Sequence, residues 1–380
     1  MKTTLWLYLF MFIAFFDLHA QYPILSPFAL SLGAAPSFIG YIMGMYALTH
    51  LPGNLLAGYG VDKFGSKIFI ICSLIVAGIV LIFQSQVDDP WELLIIRSIS
   101  GFVLAFLSPA CLALLAKLAR DRTHQSKLMA GNGLMHTLAS VVSPAAGAYL
   151  VLQVGFSRSF EILGWILILT GIIAIFGIKD QRVPLFTSVN LKVQSTSSEE
   201  STPSIPWLFY LIPLAISCSQ GILFFELPLM NTGKDAVLTS GILFTLVSIG
   251  ALVSLSLLFI NRVSPYIRTL FGSLALAIIF FGIAVHWGLS IHVSLFLIGM
   301  AKGIIFPAIA SLLASITPST RYGRSFSVLS IAYSIGSFIG PIVAGQVRGI
   351  ISPYFIAFFI LMLALALLPP RTSKLSPILH

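Results

Sequence analysis

Apolar residues run along this chain in continuous blocks, not at the two- or four-residue spacing of half-buried strands and helices. Blocks of about 20 residues, rising 1.5 Å each, are long enough to cross a hydrocarbon core of about 30 Å. Twelve such blocks fall near 4–28, 36–57, 67–86, 91–117, 128–151 and 159–178, then 206–230, 239–260, 267–286, 291–316, 325–347 and 351–369. Most connections are very short. The exception runs from Lys179 to Ile205 and contains a polar, low-complexity stretch from Gln194 to Ser204, which reads as a flexible linker. The pattern predicts an all-α polytopic membrane protein with twelve transmembrane helices. A six-helix bundle is expected over 1–180, a cytoplasmic linker over 181–205 and a second six-helix bundle over 206–380. The first block has the flavour of a secretory signal, but Leu18-His19-Ala20 lacks the first small residue a signal peptidase needs. It is expected to stay as the first span.

The two bundles read as copies. In the fourth span Gly101 is followed by Pro109, Ala110 and Leu114-Leu115-Ala116; in the tenth, Gly299 is followed by Pro307, Ala308 and Leu312-Leu313-Ala314 at the same spacings. Pro144 of the fifth span falls on Pro341 of the eleventh in nearly the same register. Two homologous six-helix halves follow.

Composition agrees and excludes alternatives. Of 380 residues 58% are hydrophobic and only 9% charged, whereas a soluble domain needs about 25% charged residues to face water. A soluble enzyme, a disordered chain and a disulfide-stapled secreted domain are all ruled out. The net charge of +9 suggests a polyanionic partner until the basic residues are placed. Lys63, Lys67, Lys117, Arg120, Arg122 and Lys127 group on one side with Lys2, Lys179, Arg182, Lys192, Arg262, Arg268, Arg321, Arg324, Arg371 and Lys374, while Arg158, Lys234 and Arg348 remain on the other. That is the positive-inside asymmetry of a plasma-membrane protein with both termini in the cytoplasm, and it removes the case for nucleic acid. Cys72, Cys111 and Cys218 lie in apolar runs without pairing or metal-ligand spacing, so they are expected to pack as small hydrophobes. No metal or cofactor is expected.

Between the second and third spans stand Gly58, Asp62, Lys63, Gly65 and Lys67. Gly58 suits close approach of another helix and Gly65 a tight turn after a helix end. The fourth span carries Arg97 and Gly101; the fifth carries Ser143-Pro144-Ala145-Ala146-Gly147, and the eleventh Gly336, Gly340, Pro341 and Gly345. With twelve spans and a central linker, these motifs resemble the major facilitator superfamily, in the style of its drug/proton antiporters. The fifth-span motif matches only in part, with Ala139, Ser143 and Ala148 where that branch carries glycines, and the second-half counterpart of the loop motif has decayed to Asn261-Arg262-Val263-Ser264. The resemblance implies that Asp62 is a cytoplasmic gate near Arg324 to Phe326. It also implies that Gly101, Pro144, Gly147, Gly340, Pro341 and Gly345 serve packing and gating, and that the first, fourth, seventh and tenth spans line a central cavity.

Ionisable groups inside spans are functional candidates, because burying them costs several kcal/mol unless they are paired or hydrated. Asp17 lies about 12 residues into the first span, roughly 18 Å deep, with Arg97 and Lys302 at similar depths and Glu226 closer to the outer mouth. One falls on each of the four cavity-lining spans. Gln21 follows Asp17 by four residues and shares its face, whereas His19 lies about 200° around the helix and is expected to pack elsewhere. Asp17, Gln21, Arg97, Lys302 and Glu226 are therefore the expected cavity residues, with Asp17 the proton site and Arg97 its partner. The expected function is alternating-access secondary transport of a small lipophilic or amphiphilic organic compound, coupled to protons and directed outward, by a monomer in the lipid bilayer. An alternative is uptake or flipping of an anionic metabolite or lipid, favoured by two midplane cations. A membrane enzyme would need a catalytic motif, and neither HExxH nor a DDxxD-like run occurs; a non-transporting receptor would need a signalling domain that the sequence lacks.

Overall fold

A computed structural model describes residues 2–119, 121–178, 207–231, 235–317 and 322–368. The linker expected over 181–205 lies outside the described residues, as does the side chain of Asp62. No strand occurs among the described residues.

The first half holds α1 (Lys2–Ala20), α2 (Tyr22–Ser31), α3 (Pro36–Phe64), α4 (Ser66–Gln84), α5 (Pro90–Leu104), α6 (Leu107–Lys117), α7 (Arg122–Val154) and α8 (Phe156–Gly177). The second holds α9 (Leu211–Glu226), α10 (Ala236–Ser256), α11 (Pro265–Ala284), α12 (Ile291–Ile316), α13 (Tyr322–Val347) and α14 (Pro353–Ala366). Among the described residues, fourteen α-helices make twelve rods because two rods are broken. The first breaks at Gln21, since Pro23 has no N–H for the His19 carbonyl and its ring would collide with it. The fourth breaks at Ala105 and Phe106 for the same reason, Pro109 standing four residues after Ala105. Asp89 caps α5 by accepting from the Trp91 N–H at 2.9 Å, and Asp121 caps α7 by accepting from His124 at 2.7 Å.

Packing repeats between the halves. In the first, α1 packs on α7, α3 on α5 and α4 on α8; in the second, the equivalent pairs are α9 on α13, α10 on α12 and α11 on α14. This is the two-repeat twelve-helix arrangement. Among the described residues, ten helical segments are long and apolar enough to span a bilayer by themselves. Large side chains outside the bundle, such as Phe176 at 80% and Leu363 at 63% exposure, suit lipid better than water.

Gly101 fixes how closely α5 approaches α3. A Cβ there would overlap Thr49 Oγ1 and the Tyr46 backbone. Because Gly101 lies one turn beyond Arg97 on α5, this contact also sets the position of that side chain. Gly101→Val is expected to push the helices apart at a cost of about 1–3 kcal/mol, read as a melting temperature several degrees lower in detergent. Unchanged melting would show that the approach is not tight.

The halves meet along α3 with α13 and along α7 with α10. The close backbone contacts that glycines make between them lie toward one end. Gly40 packs on the Pro341 carbonyl, Gly44 on Phe338, Gly345 on the Pro36 carbonyl and Gly241 on the Pro144 carbonyl. At the opposite end Gly58 and Gly133 have nothing within 4 Å of where a Cβ would stand. The expectation that Gly58 admits a neighbouring helix is therefore corrected for this conformation: the halves close at the end where α3 begins, and Gly58 sits where α3 finishes. Gly65 does make the expected turn, with φ of +89° between α3 and α4.

Candidate functional site

The break at Gln21 stands beside a buried carboxylate of the bundle. Asp17, on the last turns of α1, is 2% exposed, and Gln21 is 3% exposed directly above it. The Gln21 Nε2 donates to both carboxylate oxygens of Asp17 at 3.0 Å. On the other side Arg97 Nη1 donates to Gln21 Oε1 at 2.8 Å. Arginine carries donors only, which fixes the amide: its oxygen must face Arg97 and its nitrogen Asp17. Gln21 thus stands between the acid and the base, and no direct ion pair joins Asp17 to Arg97 among the described residues. The guanidinium also lies over Tyr46, 4.8 Å from the ring centroid, and its Nε has no partner.

Two chambers open between the halves beside this relay. One, of about 280 Å³, is lined by Gln21, Arg97, Tyr46 and His50 from the first half and by Tyr333 and Ser337 from the second. The other, of about 490 Å³, is lined by His19, His136, Phe244, Phe306 and Lys302. Tyr22 of α2 stacks on Phe224 of α9 at 4.1 Å and 22°, and both rings line both chambers, so this pair partitions one central cavity. Together the chambers are of the size that small organic ligands occupy.

Lys302 faces the second chamber, with Nζ 5.8 Å from the Phe224 centroid and 5.9 Å from that of Phe306. It does not join Asp17 and Arg97. Glu226 is placed apart from all three. Its carboxylate accepts from Arg348 Nε at 3.0 Å, and Arg348 Nη2 donates onward to the Leu229 carbonyl at 2.7 Å, in a separate pocket with Met230 and Tyr354. The expected central network of two acids and two bases is thus divided: one relay, one lysine in a second chamber and one ion pair beyond the cavity.

The angle of His19 from Asp17 predicts that it packs elsewhere. The angle holds, but α1 is flanked by a chamber on each side, so the face away from Asp17 also meets the cavity. Its Nδ1 donates to the Phe15 carbonyl at 2.6 Å, and its ring stands edge-on to His136 at 5.1 Å. His136 carries no sequence signal beyond being a histidine within a span.

The packing residues divide between two tasks. Gly147 lets α7 approach Ala20, and Gly340 lets α13 approach Cys218, both inside one half. Pro144, Pro341 and Gly345 lie on the contacts that close the halves against each other. Of the loop motif, Lys63 reaches over Tyr59 and Phe64 at 5.8 and 5.3 Å, and Lys67 opens α4.

Comparison with known proteins agrees with this architecture. An uncharacterised major facilitator-type transporter of Methanocaldococcus jannaschii is 25% identical over 355 residues, covering 89% of this chain and 90% of its own. A multi-drug resistance efflux pump PmrA homologue of Lactococcus lactis is 22% identical, over 87% of this chain and 84% of its own. The multidrug resistance protein MdtG of Escherichia fergusonii is 25% identical, over 75% and 72%. A bacterial homologue of the human lysosomal transporter Spinster, in an inward-facing and occupied conformation, superposes with a TM-score of 0.75 at 14% identity over 96% of this chain and 95% of its own. Residues 7–341 match the Major Facilitator Superfamily profile, and the chain belongs to that superfamily of membrane transporters.

Proposed function

We propose that the protein is a proton-coupled exporter of small lipophilic or amphiphilic compounds, with both termini in the cytoplasm and the closed end of the bundle outermost. The observation that carries this reading is the buried Asp17–Gln21–Arg97 relay beside an aromatic cavity between the halves. The multidrug names of its relatives support the substrate class and direction, and the distribution of lysine and arginine supports the orientation.

The relay has a simple proton logic. An ionised Asp17 accepts from the Gln21 amide nitrogen with both oxygens. A proton on either oxygen turns that atom into a donor, which the amide nitrogen cannot accept. The amide answers by rotating, so that its oxygen takes the new donor and its nitrogen turns to Arg97. Donor then faces donor, and Arg97 is released into the chamber it lines. The freed guanidinium takes up the chamber that substrate would fill, so proton and substrate compete for it as the halves rock.

The test uses purified protein in sealed vesicles with a panel of lipophilic fluorescent dyes and an imposed pH gradient. Dye is expected to move against its own gradient, and to reverse when the pH gradient is reversed. Movement that ignores the gradient would sink proton coupling. Failure to move any dye would sink the substrate class.

A further inference from the structure

We infer that the second chamber is a receptor for an anionic group, so that the compound carried is an amphiphile with a carboxylate, sulfonate or phosphate head beside an aromatic or alkyl body. This rests on the reading that the cavity carries substrate, and it adds the charge of the head.

Neither chamber is lined by an aspartate or a glutamate. Asp17 is covered and satisfied through Gln21, and Glu226 is consumed by Arg348. Lys302 has no ion pair among the described residues and rests between two aromatic rings. An ammonium in an apolar bundle without a counter-charge is costly, and an anion entering beside it removes that cost. A cationic substrate would raise it.

The donor beside Lys302 is His136. His136 is exposed to the chamber and carries at least one ring N–H in either tautomer. His19 spends its Nδ1–H on Phe15, so in the neutral ring its Nε2 is an acceptor and gives an anion no donor. Gln220 and Ser248 add neutral polar groups from α9 and α10, while Tyr22, Phe224 and Phe244 offer flat apolar surface for a body. The site joins the halves: His136 belongs to the first, Lys302 to the second. An anion held by both therefore ties them together, whereas the empty site leaves a bare lysine facing two imidazoles.

The experiment is calorimetric titration of the purified full chain, in neutral detergent at pH 7.5, with three probes that share one ring: 2-naphthoate, 2-naphthalenemethanol and 2-naphthylmethylammonium. Naphthoate is expected to bind at least about tenfold tighter than the alcohol, the scale of one charge-assisted hydrogen bond, with the ammonium weakest. Lys302→Gln should erase the preference for naphthoate and leave alcohol binding in place, and Lys302→Arg should restore it. His136→Phe, which keeps the ring packing, should weaken naphthoate several-fold and leave the alcohol unchanged. Equal binding of the three probes overturns the assignment, as does binding of none or a naphthoate preference that survives Lys302→Gln. Dye transport under a pH gradient, measured separately, then tells whether the cavity reading stands without it.

Discussion

Asp17→Asn is expected to leave substrate exchange intact and to abolish its coupling to protons. Asparagine has nearly the same volume and presents one oxygen and one N–H donor, the pattern of the protonated acid, so the kinked first rod should persist with the relay held in its released state. What it cannot do is gain and lose a charge. One proton exchanged per substrate converts each pH unit into about a tenfold concentration ratio. In vesicles with a gradient of one unit, the wild-type protein should hold a dye near that ratio, and the variant should let it relax to equality. The unidirectional exchange rate should fall far less than the ratio. Gln21→Leu separates relay from proton site: Asp17 remains, yet nothing transmits its state to Arg97, and coupling should again be lost. A fully coupled Asp17→Asn protein would overturn the relay. Retained coupling in Gln21→Leu alone would leave Asp17 as the proton site and remove only the amide.

The bundle was legible in the sequence because the bilayer imposes one length on every span, and twelve blocks of that length are hard to miss. The Asp17–Gln21 pair was legible for a similar reason, since residues four apart must share a helix face. Arg97 and Lys302 announced themselves as charges in apolar runs. What they pair with did not, because partners on different helices depend on how the rods are rotated and tilted, and no spacing encodes that. Arg97 thus reached Asp17 only through Gln21, and Glu226 found Arg348, 122 residues away. The breaks at Gln21 and Ala105 did carry a signal, Pro23 and Pro109, that counting whole spans passed over. His19 packs on Phe15 and His136, as its angle from Asp17 predicts, and still lines the second chamber because α1 has a chamber on each side. Gly58 lacks its expected neighbour for a different reason. Its contact belongs to a conformation, and a sequence specifies the set of conformations without marking which is occupied.

Gly40→Val is expected to hold the halves apart where they now close. A Cβ at Gly40 would overlap the Pro341 carbonyl and lie 2.9 Å from the Ile342 Cα, so the obstruction is backbone and cannot rotate away. Overpacking of this kind costs about 1–3 kcal/mol, which is roughly a 5- to 150-fold shift between two states. The strain exists only in the conformation closed at this end, so the opposite conformation gains by default, and transport should fall about tenfold or more because the cycle needs both. Ser337 on α13 lines the first chamber and reports the change. With the exposed Cys72 replaced by Ser, Ser337→Cys should resist a membrane-impermeant maleimide applied from the side where α3 begins. Adding Gly40→Val should make it react. Val at Gly58 is the control, since nothing lies within 4 Å of that position here; there the closed end should stay shut to the maleimide, while transport falls if the other end must close during the cycle. Unaltered transport and labelling in Gly40→Val would mean that the α3–α13 contact yields without cost, and the two ends would then not be opposed gates.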